Sequence, residues 1–413
     1  MSKLEDMLLY VSEHNDFYKN RIKEYGIENP LDITQWPILT RKELHENRYN
    51  MFSDGYQSKY FNQQLRRQSS SGSSGIPVNV YWDYKDWYAS NMSLWRKRLQ
   101  WYGIKPSDRY VSFELQSPMK SAGNEIYYTN QPLNILNISI SSINKREQFK
   151  NVISLLEKFQ PKWLYIRPFI LQNIVDCYIR YCYIPPKSLR FIETHGEILT
   201  EELKKKATSF FRVPIANMYG SEEMNGIAFE CPYQHMHILE DNVYVELDNS
   251  AMLSQAKSSN IIITNLNNKA MPIIRYKQGD VVALDCSNEQ LLCGEHTLCI
   301  SVIEGRSTDF ITLEDDNIMS SMTCLEIMGK VNNYFNGAIS FYRFVFRKKE
   351  NLLICEIIIN LEFARWSEEI IEAIGHHFRL KVPEHMNIKF VVTQLDSYSA
   401  FEKKFVFLRC LND

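Results

Sequence analysis

Hydrophobic and polar positions alternate along the chain between helical spacing and short strand-like runs. Helical spacing dominates to about Tyr56, with breaks at Pro30, Pro37 and Thr40, and Thr40 is placed to cap the helical segment RKELHEN. Asp83 opens a long amphipathic run, DYKDWYASNMSLWRKRLQWY, which stops at Gly103 with Pro106 beyond it. Strand-length apolar runs follow at RYVSFEL, LNILNISI, KWLYI, LRFIETHG and IANMY, most of them separated by helical segments such as KREQFKNVISLLEKF and TEELKKKATSFF. Strands alternating with helices predict a layered α/β domain. From about Asn242 the texture changes to closely spaced strands, NVYVEL, NIIITNL, PIIRY and VVALD. Past Arg306 the pattern resets: DFITL, a helix near CLEIMGKVNNYF, strands ISFYRFVFR and NLLICEIIIN, a helix SEEIIEAIGHHFR and a last strand NIKFVVTQL. The expected fold is therefore a large multilayer α/β domain over residues 1–308 and a small α+β domain over 309–413.

Composition supports two folding units and narrows the class. The 413 residues exceed what one compact core usually holds, and 45% hydrophobic with 23% charged residues fits a packed globular chain. A formal net charge of −2 offers no electrostatic reason to expect nucleic acid or an anionic membrane as the main partner. The N-terminus mixes acids and bases without the apolar stretch of a signal peptide, and no run approaches the roughly 18 apolar residues of a membrane span. Nine cysteines at irregular spacing, without a secretory signal, point to free or metal-bound thiols and a cytoplasmic location. The lysine run 204–206 reads as a solvated helix face.

Candidate chemistry begins at Ser70-Ser71-Gly72-Ser73-Ser74-Gly75-Ile76-Pro77. Serine and glycine together suit a flexible surface turn. They equally suit a phosphate cradle, in which glycines let backbone N–H groups approach an anion and hydroxyls add donors. The Walker A spacing is absent. The stretch resembles the T-S-G-[ST]-T-G-x-P phosphate loop of the adenylate-forming (acyl-CoA synthetase) superfamily, with Val78 where many members carry lysine. Further segments follow in that family's order. ETHGEILTEELKKK (193–206) resembles a strand–turn–helix with a Gly-Glu pair, and NMYGSEEMNGIAFEC (217–231) resembles the aromatic-Gly-x-x-Glu motif. MPIIRYKQGD (271–280) is similar to "MPxxRYxxGD", and IEGRSTDFI (303–311) to "IxGRxxDxI". The resemblance is to the phenylacetate-CoA ligase/CapK-like branch and extends over most of the chain.

It implies an enzyme that activates a carboxylic acid with Mg-ATP as an acyl-adenylate and passes the acyl group to CoA, a carrier-protein thiol or an amine. An aryl or arylacetic acid is the favoured substrate, and homodimers occur in the branch. Ser70, Ser71, Gly72, Ser73, Ser74 and Gly75 would hold the β- and γ-phosphates, and Glu223 would ligate Mg²⁺, a hard ion that takes few protein oxygens when phosphates supply the rest. Glu197, Gly220 and Ser221 fall among the nucleotide-site residues. Tyr219 would lie beside adenine, with a core aromatic as its structural alternative, and Asp280 can accept both ribose hydroxyls. Arg306 would sit near the ribose or phosphate, or form an interdomain ion pair. Lys403 matches the superfamily's C-terminal lysine, whose ammonium would stabilise charge building on the α-phosphate. Asp309 matches the hinge on which the small domain swings between half-reactions. The acid pocket is expected around Tyr165, Thr194 and Asn217 to Tyr219. Two residues depart from pattern: Glu222, where the family usually has a hydroxyl, and Glu402, in place of a flexible glycine. They motivate a second reading, a degenerate homologue acting as a binding or scaffold component.

Cysteine and histidine cluster around the strand-rich segment: Cys231, His235, His237, Cys286 and Cys293. Cys293-Gly294 resembles the knuckle of a structural zinc site found in some members of the branch. Cys231, His237, Cys286 and Cys293 would make a tetrahedral set for Zn²⁺, with buried reduced thiols as the alternative.

Overall fold

A computed structural model of the chain describes residues 1–70, 77–114, 127–130, 134–139, 147–248, 258–285, 293–306, 310–312, 318–381, 386–393 and 408–411. Two compact units emerge, each made of two stretches of chain: Met1–Gly103 with Met218–Ile303, and Ile104–Asn217 with Glu304–Asp413. Both are mixed α/β.

In the first unit the N-terminal helices form where local chemistry demands them. Ser2 and Glu5 make a capping box for the helix Lys3–His14, and Thr40 with Glu43 does the same for Arg41–Glu46. Asp83 caps the helix Tyr84–Tyr102, which ends at Gly103 in the left-handed conformation, φ 64°. Strands follow one another across the sheet in the order Val243–Leu247, Ser259–Asn265, Tyr276–Asp285, Cys299–Arg306, Met236–Ile238, Asn225–Glu230 and Ile215–Ser221. Antiparallel pairings such as Ile263 with Tyr276, His237 with Phe229 and Tyr219 with Ala228 set the register. Trp36, Trp82, Tyr18 and Tyr276 are fully buried among the aliphatic residues of this core.

PIIRY and VVALD, expected as two strands, are a braced loop and a single strand, Tyr276–Asp285. The Tyr18 hydroxyl donates to Pro272 O at 3.0 Å and accepts from Ile274 N at 3.0 Å, engaging backbone groups that a ladder would need. Arg275 then turns the chain with φ 50°. The Ser/Gly stretch is flanked by a short hairpin, Arg66–Ser69 against Asn79–Trp82, of which only the second strand has an apolar signature.

The second unit contains parallel strands in the order Phe191–His195, Trp163–Ile166, Tyr110–Glu114 and Ile135–Ser139, with Tyr127–Asn130 antiparallel at the edge. Helices Glu147–Phe159, Pro168–Arg180 and Glu201–Phe211 accompany them, as the alternating pattern predicts. A four-stranded sheet follows in the order Asn387–Thr393, Leu352–Ile359, Ile339–Arg347 and Leu408–Leu411, with helices Ser321–Tyr334 and Ser367–Arg379. Lys206 departs from the solvated face expected for it: its ammonium meets Asp176 Oδ1 at 2.5 Å and Asn333 Oδ1 at 3.2 Å, largely out of solvent. Among the described residues no helix is long and apolar enough to cross a membrane.

Candidate functional site

The hairpin delivers Ser70 to the foot of the Ser/Gly loop. Ser70 N donates to Val78 O at 2.9 Å, and Val78 N donates back to Ser70 Oγ at 3.0 Å. Ser71, Gly72, Ser73, Ser74 and Gly75 lie outside the described residues, as do Cys286, Asp309, Glu402 and Lys403.

Glu223 follows the strand Ile215–Ser221 and is 3% exposed, which excludes a solvated turn carboxylate. Its Oε1 lies 3.3 Å from Arg41 Nη1 and 3.5 Å from the Tyr276 hydroxyl. Arg41 also donates to Ser70 Oγ at 2.7 Å and to Tyr276 Oη at 3.3 Å. One guanidinium thus connects the Ser/Gly loop, the Glu223 motif and the MPIIRY motif. Its position is set by backbone: Leu39 N donates to Arg275 O at 2.8 Å, Lys277 N donates to Leu39 O at 3.0 Å, and the Thr40 cap begins the helix at Arg41. Leu44, fully buried, anchors that helix, an effect of about 1.5–3 kcal/mol for a leucine taken from water. Burial pushes the Tyr276 phenol well above its ordinary pKa, and the Glu223 charge adds to this, so it stays a neutral donor. Glu222 points the other way, exposed, with the Gln68 amide 3.4 Å from its Oε2, so its charge is not added to the buried pair.

Tyr219 and Asp280 are joined directly. The Tyr219 hydroxyl donates to Asp280 Oδ2 at 2.7 Å, and Gln278 Nε2 donates to both at 2.6 and 2.8 Å. Gly220 sits at an irregularity of the strand pair, where any Cβ would fall against Asn225 O. Ser221 Oγ is buried and has no hydrogen-bond partner among the described residues.

In the second unit Glu197 accepts from Phe169 N at 3.1 Å and lies 3.7 Å from Arg167 Nη1. The absent side chain of Gly196, φ 75°, leaves room for that guanidinium: a Cβ there would sit 2.9 Å from Arg167 Nη1. Tyr165 stacks on His195 at 3.7 Å and 6°, and Thr194 Oγ1 donates to Asn217 Oδ1 at 3.2 Å. Arg306 is half-buried and engaged; beside it Gly305, φ 116°, passes close to Ser321 Oγ.

The sulfur and imidazole cluster is built by a tight turn. Gln234 N donates to Cys231 O and Cys231 N to His235 O, each at 2.9 Å, which brings Cys231, His235 and His237 to one side. Cys293 completes a set whose donor atoms all lie within 4.8 Å of one another. Cys293 Sγ is 3.3 Å from His237 Nε2, and the other ring nitrogen of His237 is 2.9 Å from Thr297 Oγ1. Lys97 and Gln100 hold the Cys293 turn through Glu295 at 2.8 and 3.0 Å. Burial pushes the His237 imidazole down to about 4, which keeps it neutral as a ligand must be, while burial pushes the Cys231 thiol up. Two thiols and two imidazoles fit a tetrahedral Zn²⁺, with Thr297 orienting a ligand from behind. Among the described residues His235 supplies the fourth donor expected of Cys286.

Arg41, Tyr276, His235, His195 and Arg167 are the residues that motif reasoning left without a site role. His235 carried a signal as one of the clustered cysteines and histidines, and Tyr276 and His195 lie inside quoted motifs without having been given a role; Arg41 and Arg167 lie in none.

No family model matches the chain. It is 21% identical to a phenylacetate-coenzyme A ligase of Thermus thermophilus, over 95% of this chain and 91% of that protein. It is 23% identical to protein CapK of Staphylococcus aureus, over 98% of this chain and 87% of the other. A 2-hydroxyisobutyryl-CoA ligase in the postadenylation state, in complex with R3-HIB-AMP, matches its fold with a TM-score of 0.76 at 15% identity, covering 100% of this chain and 88% of that one. With motifs in order, near full-length relatives and a shared fold, the chain is a distant homologue of phenylacetate-CoA ligase and CapK and has the fold of the adenylate-forming CoA ligases.

Proposed function

We propose that this chain is an ATP-dependent acid–thiol ligase. A carboxylate oxygen attacks the α-phosphorus of ATP, pyrophosphate leaves, and a thiolate then attacks the acyl carbon and expels AMP. The observation that carries this reading is the buried constellation in which Arg41 links Ser70, at the foot of the phosphate-loop segment, to Glu223. Glu223 would hold Mg²⁺, which supplies charge neutralisation on the phosphates. Tyr219, its hydroxyl tied to Asp280, is proposed to lie beside adenine, and the Asp280 carboxylate to accept from the ribose hydroxyls. Gly220 and Ser221 border the same site, and Glu197 and Arg306 are proposed as nucleotide-site residues on the motif resemblance alone.

The acid is proposed to be aryl or arylacetic, supported by the flat Tyr165–His195 stack and by the phenylacetate-specific names of several relatives. CoA is the default acceptor, with a carrier-protein thiol or an amine as alternatives. Residues 1–308 act as the adenylation domain and 309–413 as the moving domain, hinged at Asp309 and bringing Lys403 to the α-phosphate. Cys231, His235, His237 and Cys293 hold a structural zinc.

The test is pyrophosphate release with ATP, Mg²⁺, hydroxylamine and a panel of aromatic and aliphatic acids. Acid-dependent release is expected, lost by about a hundredfold or more in Glu223→Gln, in the range seen when one electrostatic contact to the transition state is removed. Silence across the panel together with no ATP-induced thermal shift would sink the ligase reading and leave a scaffold.

A further inference from the structure

We infer that Arg41 is the residue that distinguishes triphosphate from monophosphate in this site. It neutralises Glu223 before nucleotide binds and turns its guanidinium to the β- and γ-phosphates when ATP and its metal arrive. The inference rests on the nucleotide reading above and adds a residue that none of the quoted motifs contains.

Its basis is the set of groups Arg41 holds. Three acceptors from three separate stretches of chain, Ser70 Oγ, Glu223 Oε1 and Tyr276 Oη, lie at 2.7, 3.3 and 3.3 Å from its two terminal nitrogens. Its side chain is 14% exposed and that of Glu223 is 5% exposed. A carboxylate that buried needs a counter-charge, and Arg41 supplies one. A divalent cation on Glu223 would do the same job, and would then face the guanidinium as a like charge. That conflict disappears only when an anion enters with the metal, and a triphosphate is such an anion. Arg41 already donates to Ser70 Oγ at 2.7 Å, so a hydroxyl is on hand to steady its guanidinium when Glu223 takes the metal. The planar fork matters as well as the charge: a lysine ammonium cannot span Ser70, Glu223 and Tyr276 with fixed geometry. The Leu39 bridge to the neighbouring strand and the Thr40 cap hold the backbone, so the change is confined to the side chain.

Calorimetric titration of the full chain with ATP, AMP and inorganic pyrophosphate, each with Mg²⁺, tests this. Arg41→Met is expected to weaken ATP and pyrophosphate about tenfold or more, the scale of one charge-assisted contact, and to leave AMP within about twofold. Arg41→Lys, which keeps the charge beside Glu223, should fall between, and it decides the matter if Arg41→Met does not fold. Equal losses for AMP and ATP would assign Arg41 a merely structural role and overturn the inference, as would unchanged pyrophosphate binding in Arg41→Lys when Arg41→Met is unfolded or also unchanged. Wild-type protein that binds none of the three ligands would overturn the nucleotide reading itself, a result separable from the others.

Discussion

Around Glu223 the functional atoms are oxygens and a guanidinium, charged and hard; around His237 they are thiols and imidazoles, soft and neutral. Glu223 and His237 are both buried, and both clusters belong to the first unit. They resolve the cost of burial differently. The Glu223 cluster brings its own cation, Arg41, so it is balanced without a metal and a metal entering there must displace or reorient that cation. In the His237 cluster the histidine is held neutral by burial, and the donors close on one another within 4.8 Å. An exchangeable ion with phosphate ligands suits the first arrangement, and a resident metal with four protein ligands suits the second. On the proposed function, the contrast separates a site for turnover from a site for stability.

The sharpest way to break that distinction is to remove the soft cluster. Purified chain is expected to carry one equivalent of zinc, and Cys293→Ser to lose it. The stability lost is on the order of 4 kcal/mol if free zinc stands near a thousandfold above its dissociation constant. Melting in zinc and in chelator checks this: wild type should drop to the level of Cys293→Ser, which itself should not respond. Identical melting of the two proteins in both conditions would reduce the cluster to buried thiols.

Next in size is the hard cluster's ion pair. Arg41→Met removes the cation paired with the buried Glu223 and should cost roughly 3 kcal/mol, toward the low end for a broken buried pair because Arg41 keeps some solvent contact. Glu223→Gln added to it should recover most of that loss, which urea unfolding of the singles and the double would show. If the two single losses simply add, the pair is not coupled and the exchangeable-cation picture fails.

Those two clusters were unequally legible in the sequence, for physical reasons. Glu223, Tyr219 and Asp280 stood in segments with a recognisable order, and the helices at Thr40 and Asp83 announced themselves because caps are local chemistry. Arg41 did not, since its meaning comes from Tyr276, 235 positions away, reached through a backbone bridge that no local pattern encodes. The strand Arg66–Ser69 is polar throughout, so it has no apolar alternation to detect. PIIRY looked like a strand because Ile273, Ile274 and Tyr276 are β-formers, and Pro272 to Arg275 are not in one because Tyr18, far away in sequence, occupies the backbone of Pro272 and Ile274. The cysteine cluster was visible as a composition, but which donors converge depended on the turn at Gln234.

The smallest expected effect sharpens the comparison from within the hard cluster. Tyr219→Phe deletes a hydroxyl that donates to Asp280 and accepts from Gln278, yet Asp280 keeps its direct contact from Gln278 at 2.8 Å. Losing this one tether should cost about 1 kcal/mol, a few-fold in the KM for ATP, since the ring that would lie beside adenine survives. Because the tether orients the carboxylate proposed to read the ribose, the preference for ATP over 2′-deoxy-ATP should narrow in Tyr219→Phe, whereas Arg41→Met should weaken both nucleotides alike. A Tyr219→Phe loss as large as that of Arg41→Met, with no change in ribose preference, would mean that the hydroxyl supports the charged pair rather than the nucleoside, and the division of labour between Arg41 and Asp280 would have to be redrawn.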